Sequence, residues 1–549
     1  MKNEGKSDYI GITIGPIVDT LLLSSSPAGL WGASYLFSYI AKNLAEKLID
    51  EGIEEKEFVC PALDQETEQI IKEAQGVGLF HDRIIFRAGT NEMDTVKAAI
   101  SWIKDKIADE FYADLAGKGR QDEEYEKYRD FMRNYLQIHA VKASVEENDN
   151  PILVLGPLLD SLELMKTVNT KEEKNYILKM LVNQEALNQE TPEENDESKG
   201  KNFYMKSSFL AKDIIRNDSW QLMEDGKIKN ISDIAGNTAE KKEKTNKKKY
   251  QYYAFVQSDG DNLTKILKSI GDFSEEKNNH DAIREFSKTC FRYSKKAAAA
   301  IHEYGGVTIY AGGDDLLFLA PLENEKRSIF QLVQKLEGVF EQEFDKYLIK
   351  EDENPLSVSF GVAIHHESYP LYESLKRAFM LLSRAKDGEK NGLVVELMKH
   401  SGQKNGIHVL KFSNNETYQQ MLRLFDEIWQ LDDNFLRSLM QKFGLHEKEI
   451  KEALLKQEAA PEYENHIVQN LVENLFSNRH HNIFNENDDS EDTSLKEERK
   501  YIRDVTGLFF MLEKQKEIQC LNKDRTDSLA CLETMIRIMK FYQEERGDA

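Results

Sequence analysis

The chain has 549 residues, with 73 lysines and arginines against 97 aspartates and glutamates and a formal net charge of −24. Its 40% hydrophobic and 10% aromatic content is enough for folded cores, and its length predicts three or four domains at about 150 residues each. A small disulfide-stapled module is excluded, as is a nucleic-acid binder held by overall charge, because phosphate attraction needs a basic face. None of the four cysteines, Cys60, Cys290, Cys520 and Cys531, lies in a Cys-x-x-Cys pair, so reduced thiols are expected rather than a zinc ribbon. With no signal-peptide core near the start and no apolar run of roughly 18 to 20 residues, the expectation is a cytoplasmic protein that does not touch membrane.

Residues 9–14 form an isoleucine-rich run that reads as a buried strand, broken at Gly15-Pro16. In residues 29–50, Trp31, Tyr35, Leu36, Tyr39, Ile40 and Leu44 recur at three and four, the pattern of a helix with one apolar face. Residues 57–59, 83–86 and 152–155 read as strands, the last ending at Gly156-Pro157, and the charged stretch 94–142 reads as helical. That order predicts an α+β layer with a helical insertion. Residues 188–201 are polar throughout and read as a linker. A run with lysine at six of the nine positions 241–249 reads as a solvated face or, alternatively, a local RNA-backbone contact. Between these two segments, residues 203–234 read as a small, mostly helical piece.

A second organised unit spans 252–397, followed by amphipathic helices and an acidic loop at 485–492. The stripe Leu422, Leu424, Phe425 and Ile428 is expected to pack internally. Both α/β units open with a strand, a glycine-containing turn and a long helix, which suits a duplicated fold.

The chemistry concentrates in the second unit. A short apolar strand at 253–256 runs into Ser258-Asp259-Gly260-Asp261-Asn262, and glycine beside a carboxylate lets a ligand approach the backbone. Further on, two apolar runs flank Ala311-Gly312-Gly313-Asp314-Asp315, the signal of a tight hairpin. Asp314 and Asp315, with Asp259 from a neighbouring strand end, are hard oxygen ligands suited to Mg²⁺ or Mn²⁺. Two such ions hold an attacking hydroxyl and a triphosphate in line; alternatively the motif is only a good turn. After a strand at 356–363 and a helix at 371–386, Lys386 and Lys390 stand four apart at a helix end. They either complement the helix dipole or hold nucleotide phosphates.

This succession of motifs resembles the palm domain of GGDEF-type nucleotide cyclases and, more closely, the large palm-domain subunit of type III CRISPR effector complexes of the Cmr type (III-B). Residues 258–262, 310–318 and 385–391 carry the resemblance, with a further match at 14–19 and 29–36. It implies two ferredoxin-like palm domains with a helical connector and a helical C-terminal domain. The expected division is 1–187 for the first palm with its insertion, 188–250 for linker and connector, 251–400 for the catalytic palm, and 401–549 for the helical domain.

By the same resemblance the protein would make a nucleotide second messenger from ATP in a guide-RNA complex bound to target RNA, with other Cmr-type subunits as partners. Asp259, Asp314 and Asp315 would hold the metal, and Lys386 and Lys390 the triphosphate. Gly260, Gly312 and Gly313 would allow close approach, and Asn262 would touch ribose or base. The first palm, lacking a Gly-Gly-Asp-Asp, would bind an acceptor without catalysing. That acceptor would be a second ATP, giving oligoadenylates, or S-adenosylmethionine, whose cation Asp82 and Glu163 would attract. The palm motif begins near residue 9, so the HD nuclease domain of many relatives is not expected, nor is a free-standing DNA nuclease. The alternative to an enzyme is an inert scaffold that anchors RNA and partner subunits.

Overall fold

The computed structural model describes residues 6–165 apart from 75, 90 and 117–122, scattered residues between 176 and 236, residues 251–410 apart from 274–278, 325–326, 349–354 and 388–389, and, with short interruptions, 416–544. The polar segments 188–201 and 241–249 lie outside the described residues, as does all of the acidic loop 485–492 except Asp492.

The first palm begins with β1 (Lys6–Gly15), whose Ile10, Ile12 and Ile14 alternate onto one buried face. Helix α1 (Pro27–Asp50) starts where the Ser26 hydroxyl accepts from the Gly29 amide, with proline in the first turn. Strands β2 (Phe58–Cys60) and β3 (Arg83–Ala88) follow, then α2 (Glu92–Ala116), α3 (Glu123–Tyr135), β4 (Gln137–Glu146) and α4 (Pro151–Glu163). The four strands stand in the order β2-β3-β1-β4, every neighbouring pair antiparallel, as in a ferredoxin-like βαββαβ unit.

Two expectations are corrected here. Residues 152–155 open helix α4 rather than forming a strand: the Asn150 side chain caps the Ile152 amide and Pro151 occupies the first turn. A short apolar run carries no period of its own, and Pro157 is accommodated inside this helix. The stretch 94–142 is helical only to Tyr135, after which β4 forms an edge strand. Gln137 and His139 on one face and Lys142, Ser144 and Glu146 on the other break its apolar alternation, which hides the strand pattern.

The second palm repeats the plan with β5 (Tyr252–Asp261), α5 (Asn279–Glu303), β6 (Val307–Gly312), β7 (Asp315–Pro321), α6 (Ile329–Glu343) and β8 (Ser357–His366). Its strand order, β8-β5-β7-β6, is the same fourth-first-third-second order as in the first palm, so the duplication expected from the sequence is present in the fold. Helix α7 (Leu371–Ala385) then leads to β9 (Gly392–Met398), parallel to β8, and to β10 (Lys404–Leu410). Helices α8 (Glu416–Glu427), α9 (Phe435–Leu445), α10 (His466–Phe476) and α11 (Thr493–Gln515) follow. Short strand β11 (Ile518–Cys520) returns to pair with β10 before α12 (Ser528–Glu544). Leu422, Leu424, Phe425 and Ile428 are buried, as their stripe predicted. In the connector, the described residues include a short hairpin, Met223–Glu224 with Lys227–Ile228, beside helix Ile231–Ile234. Among the described residues no helix is long and apolar enough to cross a membrane.

The palms face each other reciprocally. Helix α1 of the first lies against β6 of the second, and α5 of the second lies against β2 of the first. Along that second contact Lys288 meets Asp64 at 2.6 Å, Arg292 meets Glu66 at 2.8 Å, and Lys295 pairs with Glu73. Arg284 on the same helix donates to the backbone carbonyls of Glu55, Phe58 and Leu63.

Candidate active site

Strand β5 carries the acidic motif to its very end. Asp261 is fully buried and serves as a brace: its Oδ2 accepts from Ser357 at 3.0 Å, Ser359 at 2.8 Å and the Asn391 amide at 3.1 Å. Asp259, two residues earlier on the same strand face, is partly exposed and pairs with Lys386, whose Nζ also donates to Gly260 O at 2.8 Å. Asn262 adopts a left-handed conformation, φ 64°, with Nδ2 donating to Pro355 O at 3.1 Å and Oδ1 accepting from Lys390 Nζ at 3.2 Å. Both lysines therefore sit over the motif on the loop after α7. Their side-chain partners are Asp259 and Asn262.

The hairpin between β6 and β7 brings Asp314 and Asp315 beside these groups. Gly312 pairs with Asp315, Gly313 takes the positive φ of 71° that the turn demands, and its carbonyl accepts from Ser294 of α5 at 3.1 Å. Asp314 Oδ2 accepts from the Gly260 amide at 3.0 Å. Burial, reinforced by the neighbouring Asp259 carboxylate, pushes the Asp314 carboxyl up to about 7. Asp315 is raised well above the ordinary carboxylate range by burial, then by Asp259 and Asp314, and its Oδ1 is buried without a hydrogen-bond partner.

Three carboxylates held together against their own repulsion, one with an orphaned oxygen, fit a divalent cation. Among the described residues no three such groups form a complete metal cage. That suits Mg²⁺, which is commonly held by one or two carboxylates plus substrate phosphates.

Gly260 leaves no room for a side chain, since a Cβ there would lie 2.4 Å from Leu263 Cδ1 and 2.5 Å from Asp314 Oδ2. Gly260→Ala is expected to displace Asp314, destabilise the fold by about 1–3 kcal/mol and suppress activity. Thermal melting read together with a turnover assay checks both.

The first palm meets this hairpin across a cavity of about 280 Å³. Beyond the last ladder pair of the second palm, Ser258 with Leu316, stand Asp259 and Asp315; beyond the last pair of the first, Thr13 with Arg83, stand Ile14 and Asp82. Asp82 is thus the first-palm counterpart of Asp315, while isoleucine replaces Asp259 and His81 replaces Asp314. Asp82 lines the cavity, its carboxyl raised by desolvation although part of it remains accessible to the cavity solvent. Glu163 does not line it: its carboxylate accepts from Arg83 at 2.8 Å and from Thr13 at 2.7 Å. Cys60 and Cys290 are free and also reach the cavity, where burial pushes the Cys60 thiol up to about 12; its sulfur lies 2.9 Å from His81 Nε2. Sequence reasoning missed the bracing role of Asp261 and the cavity residue Tyr310. The only available signals were the i, i+2 spacing of Asp259 and Asp261 and an aromatic residue ahead of the glycines.

Fold and site define a tandem-palm protein in which one palm alone carries the carboxylate trio. A family model for the Cas10/Cmr2 second palm domain matches residues 252–394, and one for the N-terminal region of CRISPR-associated protein Cmr2 matches residues 9–113. The CRISPR system Cmr subunit Cmr2 of Pyrococcus furiosus is 24% identical over 249 residues, covering 38% of this chain and 27% of that relative, so the match spans about a quarter of the relative's length. In structure the chain is similar to one from a type III-B Cmr-beta complex in the apo state, with a TM-score of 0.57 at 13% identity, covering 98% of this chain and 82% of the other. The Cmr-beta complex bound to cognate target RNA gives a TM-score of 0.55 at 12% identity, covering 98% and 83%. The likeness to Cas10/Cmr2 palm proteins thus extends over segments of both palms.

Proposed function

We propose that this chain is the palm subunit of a type III-B effector complex and, once target RNA is bound, a Mg²⁺-dependent nucleotidyltransferase that turns ATP into a signalling nucleotide. The observation that carries this reading is the partly buried pair Asp314 and Asp315 facing Asp259, a trio of which the first palm keeps only Asp82. The similarity to Cmr-beta structures with and without cognate target RNA supports other Cmr-type subunits, guide RNA and target RNA as partners. The chain's net charge of −24 leaves most of the grip on RNA to those partners.

In the reaction, an acceptor hydroxyl attacks the α-phosphorus of ATP, a new P–O bond forms, and pyrophosphate leaves with the α–β bridging oxygen. Mg²⁺ bound there would stabilise the attacking and leaving oxygens. One or two of the carboxylates of Asp259, Asp314 and Asp315 would hold it together with the substrate phosphates, and Lys386 and Lys390 would exchange Asp259 and Asn262 for the triphosphate. Gly260 and Gly313 keep the strand end and hairpin tip close enough for a nucleotide to lie between them.

The cavity favours a cationic acceptor. Among the described residues its lining offers no lysine or arginine to a second triphosphate, while Asp82 on the first-palm side gives the sulfonium and amino groups of S-adenosylmethionine an acidic partner. Glu163, engaged by Arg83, acts at most by tuning Asp82, whose carboxyl it helps to raise. The test is the assembled complex with target RNA and ATP, with and without S-adenosylmethionine, its products resolved by mass spectrometry. Wild type should give an S-adenosylmethionine–AMP adduct, and Asp314→Ala with Asp315→Ala should give nothing while target RNA still binds. Undiminished product from the double variant overturns the enzymatic reading; oligoadenylates indifferent to S-adenosylmethionine overturn the choice of acceptor.

A further inference from the structure

Strand β6 does not run straight into the catalytic hairpin. Thr308 pairs with Phe318 and Tyr310 with Leu317, so Ile309 is an extra residue, a β-bulge. Ile309 and Tyr310 consequently both lie on the face that packs toward the first palm with Leu317, whereas Ala311 returns to the opposite face with Leu316. Unbulged alternation would have turned Tyr310 away. The Ala311 amide fixes the result by donating to Gly78 O of the first palm at 3.3 Å.

Tyr310 then folds back across the hairpin tip into the interpalm cavity. A Cβ on Gly312 would fall 2.2 Å from its hydroxyl oxygen and 2.5 Å from its Cζ. Gly312, at a position with an ordinary negative φ, is thus needed for the phenol rather than for the turn. The hydroxyl has a single long hydrogen bond, to Gly312 O at 3.4 Å. Burial, followed by Asp82, Asp315, Asp314 and Asp259, drives its ionisation far up, so it stays a neutral donor. A half-buried donor with little to donate to, aimed into a cavity shared by both palms, offers its hydrogen to a ligand atom there.

We infer that the Tyr310 hydroxyl binds the acceptor nucleoside, donating to one of its oxygen or ring-nitrogen atoms and selecting it between Asp82 and the Asp314–Asp315 hairpin. This rests on the nucleotidyltransferase reading for what the acceptor becomes, but not for whether it binds. The ring has a second use, since adenine, common to both candidate acceptors, stacks on aromatic faces.

The assembled complex tests this through equilibrium binding of S-adenosylmethionine and of a non-hydrolysable ATP analogue, alongside turnover. Tyr310→Phe keeps the ring and the packing, and should raise the acceptor's Kd and KM about 10-fold with kcat and the KM of donor ATP little changed. Gly312→Ala, which must push the phenol aside, should reproduce the acceptor defect. Unchanged acceptor Kd in Tyr310→Phe overturns the inference, as does failure of the wild type to bind either ligand. Acceptor binding that weakens in Tyr310→Phe while wild type makes no product would uphold it and sink the nucleotidyltransferase reading instead.

Discussion

Asp314→Asn is expected to cut product formation on the order of 1,000-fold while making the metal-free chain more stable at neutral pH. The two effects share one cause. Burial and the Asp259 carboxylate raise Asp314 from 3.8 to about 7, so between those values the folded chain keeps a proton that the unfolded chain has released. Stability linked to this group is full below pH 3.8 and is lost as pH rises toward 7. At about 1.4 kcal/mol per unit the loss has an upper limit of on the order of 4 kcal/mol, shared with the coupled Asp315. Asparagine keeps the size and the acceptor for the Gly260 amide but has no charge to desolvate. Thermal melts with chelator from pH 5 to 8 should show the wild type falling behind the variant as pH rises. Added Mg²⁺ should then restore the wild type at the upper end and leave the variant unmoved. A wild type and variant that stay parallel across the range would show that the carboxylates are not strained by one another. This is the pattern of a site that gives up stability for function.

How much of this was legible in the sequence depended on whether a feature was local. The Asp314–Asp315 hairpin could be read because Gly313 must take a positive φ and its flanking apolar runs alternate. The first buried strand and long helix were equally plain, since Ile10, Ile12 and Ile14 repeat at two and Trp31, Leu36, Ile40 and Leu44 repeat near the helical period. Strand β4 was not, because an edge strand keeps only part of its apolar alternation, and residues 152–155 have the composition of a strand although Asn150 and Pro151 start a helix there. The cavity between the palms lay furthest from view. Asp82 is legible as an acidic residue just before a first-palm strand, but its standing as the counterpart of Asp315 needs both ladders. Glu163 is legible as an acidic residue after the Gly156-Pro157 break, and only the fold brings Arg83 and Thr13 to its carboxylate. Tyr310 points where it does because of one bulged residue, a matter of register that composition cannot express.

The second large effect is expected at Arg284, which holds the two palms at the distance the cavity requires. Its guanidinium donates from α5 to three first-palm carbonyls, Glu55 O at 2.9 Å, Phe58 O, and Leu63 O at 3.0 Å. These flank β2, which ends at Cys60 on the cavity wall, while Cys290 and Ser287 line the cavity from α5 itself. Ser287 adds one more tie, accepting from the buried Ala62 amide at 2.9 Å. Arg284→Met keeps the length of the stem but leaves three carbonyls without their charged donor, and should cost about 2–4 kcal/mol. Arg284→Lys should recover little, because an ammonium cannot span the three acceptors as the planar fork does. Salt separates this tie from the neighbouring ion pairs. Lys288, Arg292 and Lys295 face Asp64, Glu66 and Glu73 in partly exposed pairs that are worth at most about 1 kcal/mol each and are screened. The penalty of Arg292→Ala should therefore shrink between about 0.1 M and about 1 M salt, whereas that of Arg284→Met, whose acceptors are neutral carbonyls, should persist. If thermal melts showed both penalties vanishing together at high salt, the palms would be held by general charge attraction. A persistent Arg284 penalty accompanied by a raised KM for the acceptor, with the KM for ATP unchanged, would place the control of cavity width at this one side chain.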